Sequence, residues 1–86
     1  NDSTMANEAV YLVGKMGPDA ISLAPAVAKS LKSSQPATRE LAATAIGNMG
    51  SAAAAYQTQI KGLLDDKDPL VRMAARKAMQ NLQAEK

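Results

Sequence analysis

"LVGKMG" at residues 12–17 and "AIGNMG" at residues 45–50 are one phrase written twice, 33 residues apart, in a chain of 86. Gly14 and Gly47 coincide, as do Met16 and Met49, and Gly17 and Gly50. Sliding the whole chain by the same 33 residues aligns it without gaps. Ala9, Ala42 and Ala75 fall in register, then Leu12, Ala45 and Ala78, then Val13, Ile46 and Met79, then Met16, Met49 and Leu82. Pro36 meets Pro69, Arg39 meets Arg72, and Asn48 meets Asn81. Farther along, Leu23 matches Tyr56, Val27 matches Ile60, and Leu31 matches Leu64. The agreement is mostly in residue class, as expected where packing is the shared constraint.

Each copy divides into two apolar stripes of helical period. Positions 38, 41, 42, 45, 46 and 49 recur at i, i+3, i+4 and i+7, which places them on one face of a helix. Pro36 suits the first turn, where its missing N–H would have no partner anyway. Gly47 and Gly50 close the stripe, Gly50 being the better left-handed stop. A second stripe of Ala53, Tyr56, Ile60, Leu63 and Leu64 ends at Asp65-Asp66-Lys67-Asp68. Asp68 then caps a further helix that has Pro69 at its first position.

This spacing predicts five helices, near 4–16, 19–33, 36–49, 52–65 and 69–83. Pro25 falls in the first turn of a helix starting near Ser22, or else kinks a longer one. The first arrangement is preferred, with Ser22 as cap and Pro18-Asp19 as a preceding turn. Leu12, Ile46, Ile60, Leu64 and Val71 are expected to be well buried. Gly14 and Gly47 lie within helices and are read as sites of close helix approach, at a propensity cost of up to ~1 kcal/mol each.

Composition agrees. Hydrophobic residues make up 47% of the chain, with no Phe or Trp and only Tyr11 and Tyr56 as aromatics. An Ala-rich core of this kind suits close helix–helix packing and lacks the residues that favour strands. A single unit cannot bury its apolar stripe alone, so stacked units build one continuous core. The expected fold is all-α, a short right-handed α-α superhelix, or solenoid, of about two and a half helical hairpins. Its units are 1–33 and 34–66, followed by a half unit, 67–86, in one domain. The chain opens Asn1-Asp2-Ser3 without Met, as in a processed chain or a piece of a longer array. No apolar run approaches the ~18 residues of a membrane span, so a soluble chain is expected, its compartment unreadable.

The stretch "LLDDKDPLVRMAARKAMQNL" (63–82) resembles the junction between two HEAT-type repeats. The family pattern is a helix ending in Leu-Leu, an acidic loop, and then Asp-Pro-x-Val-Arg opening an Ala-rich helix. Leu63, Leu64, Asp66, Asp68, Pro69, Val71, Arg72, Ala74, Ala75 and Ala78 carry it here. Residues 23–50 hold a weaker copy, with Ser33 and Gln35 in place of the acidic residues and Thr38 in place of Val. The short period resembles the subgroup named after phycobilisome lyases. The resemblance implies that Asp66 and Arg72 belong to a structural ladder between units. It also implies that the second helices line a concave face.

The chain contains no His and no Cys. That removes the usual zinc, copper and haem ligands, thiol nucleophiles and imidazole acid–base chemistry. No catalytic residue, metal site or cofactor is expected. Asp65, Asp66 and Asp68 lack the spacing, central Gly and final Glu of a calcium loop, and read as an inter-helix loop. "GKMG" (14–17) lacks the spacing and the preceding strand of a phosphate loop and reads as a helix end. Met5, Met16, Met49 and Met79 fall on core stripes, while Met73 aligns with Asn7 and Glu40 and belongs near the surface. Lys67, Arg72, Arg76 and Lys77 form a basic cluster without an aromatic to stack on a base, and the net charge is only +2.

The function expected is a non-catalytic protein–protein interaction or scaffolding module. The alternatives are an accessory domain of an enzyme such as a bilin lyase, or weak nucleic-acid binding. Lys29 and Lys32 in one unit and Thr58 and Lys61 in the next are the candidate partner surface, suited to an acidic protein. The wide apolar band of the last helix adds Leu70 and Met73. These two are expected to leave a patch at the C-terminal end, open to a further repeat, a partner or a second copy of the chain.

Overall fold

Five right-handed helical segments follow from the two glycine stops and the two proline starts. The computed structural model describes the backbone of residues 2–83 and the side chains of residues 7–83. The regular helices are α1 (Asp2–Met16), α2 (Ala24–Lys29), α3 (Pro36–Asn48), α4 (Gln57–Lys61) and α5 (Pro69–Gln83). Among the described residues there is no strand. α1, α3 and α5 stand side by side as one layer, and the segments running 17–32 and 50–65 form the second. The two layers together measure 39 × 27 × 16 Å.

The glycine stops behave as the repeated phrase implies. Gly17 and Gly50 both have positive φ, +64° and +67°, a conformation that only Gly adopts without strain. Gly47 stays inside α3 rather than ending it. At the other end of the hairpin, Asp68 Oδ1 accepts the N–H groups of Leu70 (2.8 Å) and Val71 (3.3 Å), so it caps α5.

The second helices are less regular than expected. Residues 19–33 and 52–65 were expected as continuous helices, but each begins and ends in tighter 3₁₀ turns. These are Gly17–Leu23 and Ser30–Lys32 around α2, and Gly50–Tyr56 and Gly62–Asp65 around α4. Pro25 sits in the first turn of α2, but Ser22 does not cap it. Pro18 and Asp19 form part of the 3₁₀ segment instead of a separate turn. Ala24 N–H bonds back only three residues, to Ile21, and Pro25 has no N–H to give, so the wider α ladder starts after it. Ala20 and Ala53 occupy equivalent places in the two 3₁₀ segments, and both are fully buried.

The core lies between the layers. Ile46, Met49, Ile60, Val71 and Leu82 are its largest fully buried side chains, joined by Val27 and Leu31. Each contributes roughly 1.5–3 kcal/mol over leaving it in water. Three sequence expectations need correction. Leu12 is 62% exposed and Met16 49%, and Ala9 is also exposed, because none of the described helices covers that side of α1. Leu64 is half-buried, in contrast to its equivalent Leu31, since α5 is the last described element and covers one side of it only. Met79 is half-buried, and the Met5 side chain lies outside the described residues.

Candidate functional site

The unit-to-unit joint is built from a few polar groups on otherwise apolar helices. Arg39, on the first turn of α3, reaches forward to the next junction. Its Nε donates to Asp66 Oδ2 at 2.8 Å and its Nη2 to Asp66 Oδ1 at 2.9 Å, a two-pronged pair. Its Nη1 donates to the Ser33 carbonyl at 2.8 Å. Arg72 holds its own loop in the same way, donating to the carbonyls of Asp66 (2.7 Å) and Lys67 (3.2 Å). The ladder implied for Asp66 and Arg72 is therefore drawn differently: the Asp66 carboxylate pairs with Arg39, and Arg72 holds the Asp66 backbone. Reach decides this, since Arg72 is taken up by carbonyls on its own loop while Arg39 projects across the joint.

The bond from Arg39, followed by that from the Asp68 N–H (2.9 Å), holds the Asp66 carboxyl below its ordinary range. The same bond, set against some desolvation, raises Arg39 above the ordinary arginine value. Asp66 and Asp68 are thus spent internally, on Arg39 and on the start of α5. Among the described residues no group of His, Cys, Asp or Glu is arranged to hold a metal ion. Two further polar contacts join α1 to α3: Thr38 Oγ1 donates to Asn7 Oδ1 (2.6 Å) and Asn48 Nδ2 to the Gly14 carbonyl (3.2 Å).

Between the second helices lies a groove of about 510 Å³ lined by Pro25, Ala28, Lys29, Lys32, Tyr56 and Gln59. It brings together Lys29 and Lys32 of the candidate surface. Thr58 and Lys61 are exposed on α4 but do not line it. Sequence reasoning missed Gln59 as a lining residue and read Tyr56 only as core. The signal available was the amphipathic character of Tyr56, which is half-buried here, with Gln59 one helical turn on. Among the described residues the one ion pair is Arg39–Asp66, so Lys29, Lys32 and Lys61 have no acidic partner there.

A second groove, of about 430 Å³, runs along the outside of the joint between α3 and α5. Leu70 and Met73, 55% and 59% exposed, line it together with Glu40, Thr44 and Lys77. Arg76 and Lys77 of the basic cluster are exposed, whereas Arg72 is committed to its loop. No described helix is long and apolar enough to cross a membrane.

A family model described as HEAT repeats matches residues 2–80. Among curated proteins and solved structures, no match to the chain is found.

Proposed function

The chain belongs to the HEAT-repeat family, and on that footing we propose that it is a non-catalytic protein-binding module whose inner groove takes an acidic segment of its partner. One observation carries this reading. Lys29 and Lys32 flank an open groove beside Tyr56 and Gln59, with no acidic side chain of the described residues neutralising them. Tyr56 offers an apolar body with a polar tip, and Gln59 offers both donor and acceptor, so an extended or helical acidic peptide finds charge, contact area and hydrogen bonds together. Lys61 and Thr58, on the exposed face of α4, extend the same surface. Leu70 and Met73 on the outer groove form a second contact surface, open to a partner or a second copy of the chain.

The 33-residue period and the Asp-Pro-x-Val-Arg junction at residues 68–72 support a place in the phycobilisome-lyase-like subgroup. In that setting the module serves as an accessory domain that holds a protein substrate for a separate catalytic part.

A peptide of alternating Glu and Leu, titrated into isotope-labelled protein, tests the groove. Saturable shifts of the amides of Lys29, Lys32, Tyr56 and Gln59 are expected, abolished by Lys29→Glu with Lys32→Glu. Shifts confined to Arg76 and Lys77 on α5, or none at all, overturn the reading.

A further inference from the structure

The outer grooves of the two joints are one groove repeated in register. The groove between α1 and α3 is floored by Gly14 and Ala45, and the groove between α3 and α5 by Gly47 and Ala78. The first is open by about 60 Å³ and the second by about 430 Å³. Side-chain size at two positions separates them. Tyr11 and Leu41 line the first groove, and Thr44 and Ala74 stand in their places in the second. A further depression beside Tyr11 and Leu12 is shallow and reaches neither Gly14 nor Ala45.

The second groove also departs from the repeat at its rim. Leu70 and Met73, 55% and 59% exposed, match Ala37 and Glu40 on α3. Two large apolar side chains therefore stand where the preceding unit presents a small one and a charged one. Lys77 lines the groove too, and among the described residues it has no acidic partner. In the first groove a cation already sits over a ring: Lys15 Nζ lies 5.6 Å from the centroid of Tyr11.

We infer that the α3–α5 groove is a socket for an aromatic side chain of another protein, seated over Gly47 and Ala78. The filled copy supplies the chemistry of the occupant. The ring takes the space that Tyr11 takes one repeat earlier. Met73 offers its sulfur to the ring, a contact that aromatics favour, and Lys77 offers its cation to the ring face. The groove has room beyond one ring, and an aliphatic residue one helical turn on fills it beside Leu70, as Leu41 does beside Tyr11. This chain cannot supply the ring itself. Its only aromatics are Tyr11, on the first groove, and Tyr56, half-buried at the inner one. The inference rests on the outer groove being a contact surface, as proposed above, and is independent of the inner groove.

The probe is a neutral helical peptide of Ala and Gln with one Tyr and a Leu one turn after it, titrated into isotope-labelled protein. Saturable shifts are expected at the amides of Thr44, Gly47, Met73 and Ala78. Binding should weaken by roughly tenfold or more when the peptide's Tyr is replaced by Ala. Thr44→Tyr with Ala74→Leu copies the filled groove and should abolish the shifts while keeping the helical spectrum. Met73→Glu, at an exposed position, should weaken binding without touching the core. Equal binding of the Tyr and Ala peptides, or binding that survives both variants, overturns the socket but leaves the outer groove a contact surface. No shift at the four amides overturns both. Shifts there that grow with protein concentration alone put a second copy in the groove and also overturn the inference.

Discussion

Gly47 and Ala78 meet backbone to backbone: a Cβ on Gly47 would lie 2.8 Å from the Ala78 Cα and 2.9 Å from its Cβ. One repeat earlier, a Cβ on Gly14 would lie 3.3 Å from the Ala45 Cα. The two joints have the same register but different tightness. Replacing either glycine by Ala gains up to ~1 kcal/mol of helix propensity. At Gly47 the contact is with main chain, which cannot swing aside, so overpacking wins and Gly47→Ala should cost ~1–3 kcal/mol. At Gly14 a shift of a few tenths of an ångström suffices, and Gly14→Ala should fall within ~1 kcal/mol of neutral. Urea unfolding of the two variants checks the difference, and equal effects would contradict the geometry.

Burial separates two side chains of similar size. Ile60 is fully buried between the layers, and Ile60→Ala should destabilise the chain by ~2–5 kcal/mol. For a chain this small, that is a large fraction of the total stability. Leu12 lies on the open face, and Leu12→Ala should change stability by less than ~1 kcal/mol. Thermal or chemical unfolding of both variants, side by side, decides it.

The Arg39–Asp66 pair predicts a particular pH dependence. The Asp66 carboxyl is held below its ordinary range in the folded chain, so the unfolded chain binds the proton more readily. The stabilisation is complete above the ordinary carboxylate range, near pH ~4, and is lost as the pH falls through the lower folded value. Asp66→Asn should flatten the acid limb of the stability profile below pH ~4, and Arg39→Met should weaken that limb too. An unchanged acid limb in Asp66→Asn would place its origin elsewhere.

The two junctions also differ in their caps. Asp68 caps α5 with its carboxylate, whereas Gln35 stands at the same place before α3, with extended backbone and no side-chain cap bond. Asp68→Ala should cost ~0.5–2 kcal/mol. Gln35→Asp should gain ~0.5–1 kcal/mol by giving α3 the cap that α5 has. The melting temperatures should move in opposite directions.

The all-α repeat, the Asp68 cap, the left-handed stop at Gly50 and the glycines as points of close approach were legible in the sequence. Each rests on chemistry local to a turn or on a period that repeats. A missing N–H, a missing Cβ or a carboxylate at the cap position of a helix acts wherever the chain goes. Which face of a helix is apolar was legible for the same reason. What covers that face was not: Leu12, Ala45 and Ala78 share one register, yet Leu12 is 62% exposed and the two alanines 1%. Burial belongs to a pair of elements, and the neighbour of α1 lies outside any pattern on α1 itself. The partner of Asp66 was hidden likewise. Arg72 is nearer along the chain, but its guanidinium closes its own loop, and Arg39 arrives from the preceding helix. Once that geometry is known, its trace can be found in the sequence: Ala6 stands in the register of Arg39 just as Ser33 stands in that of Asp66. The groove beside Lys29 and Lys32 likewise exists only because α2 and α4 lie side by side. Periodicity determines which residues a helix offers, and tertiary packing determines which of them meet a neighbour, because a contact needs two surfaces at one place and a sequence pattern describes one surface at a time.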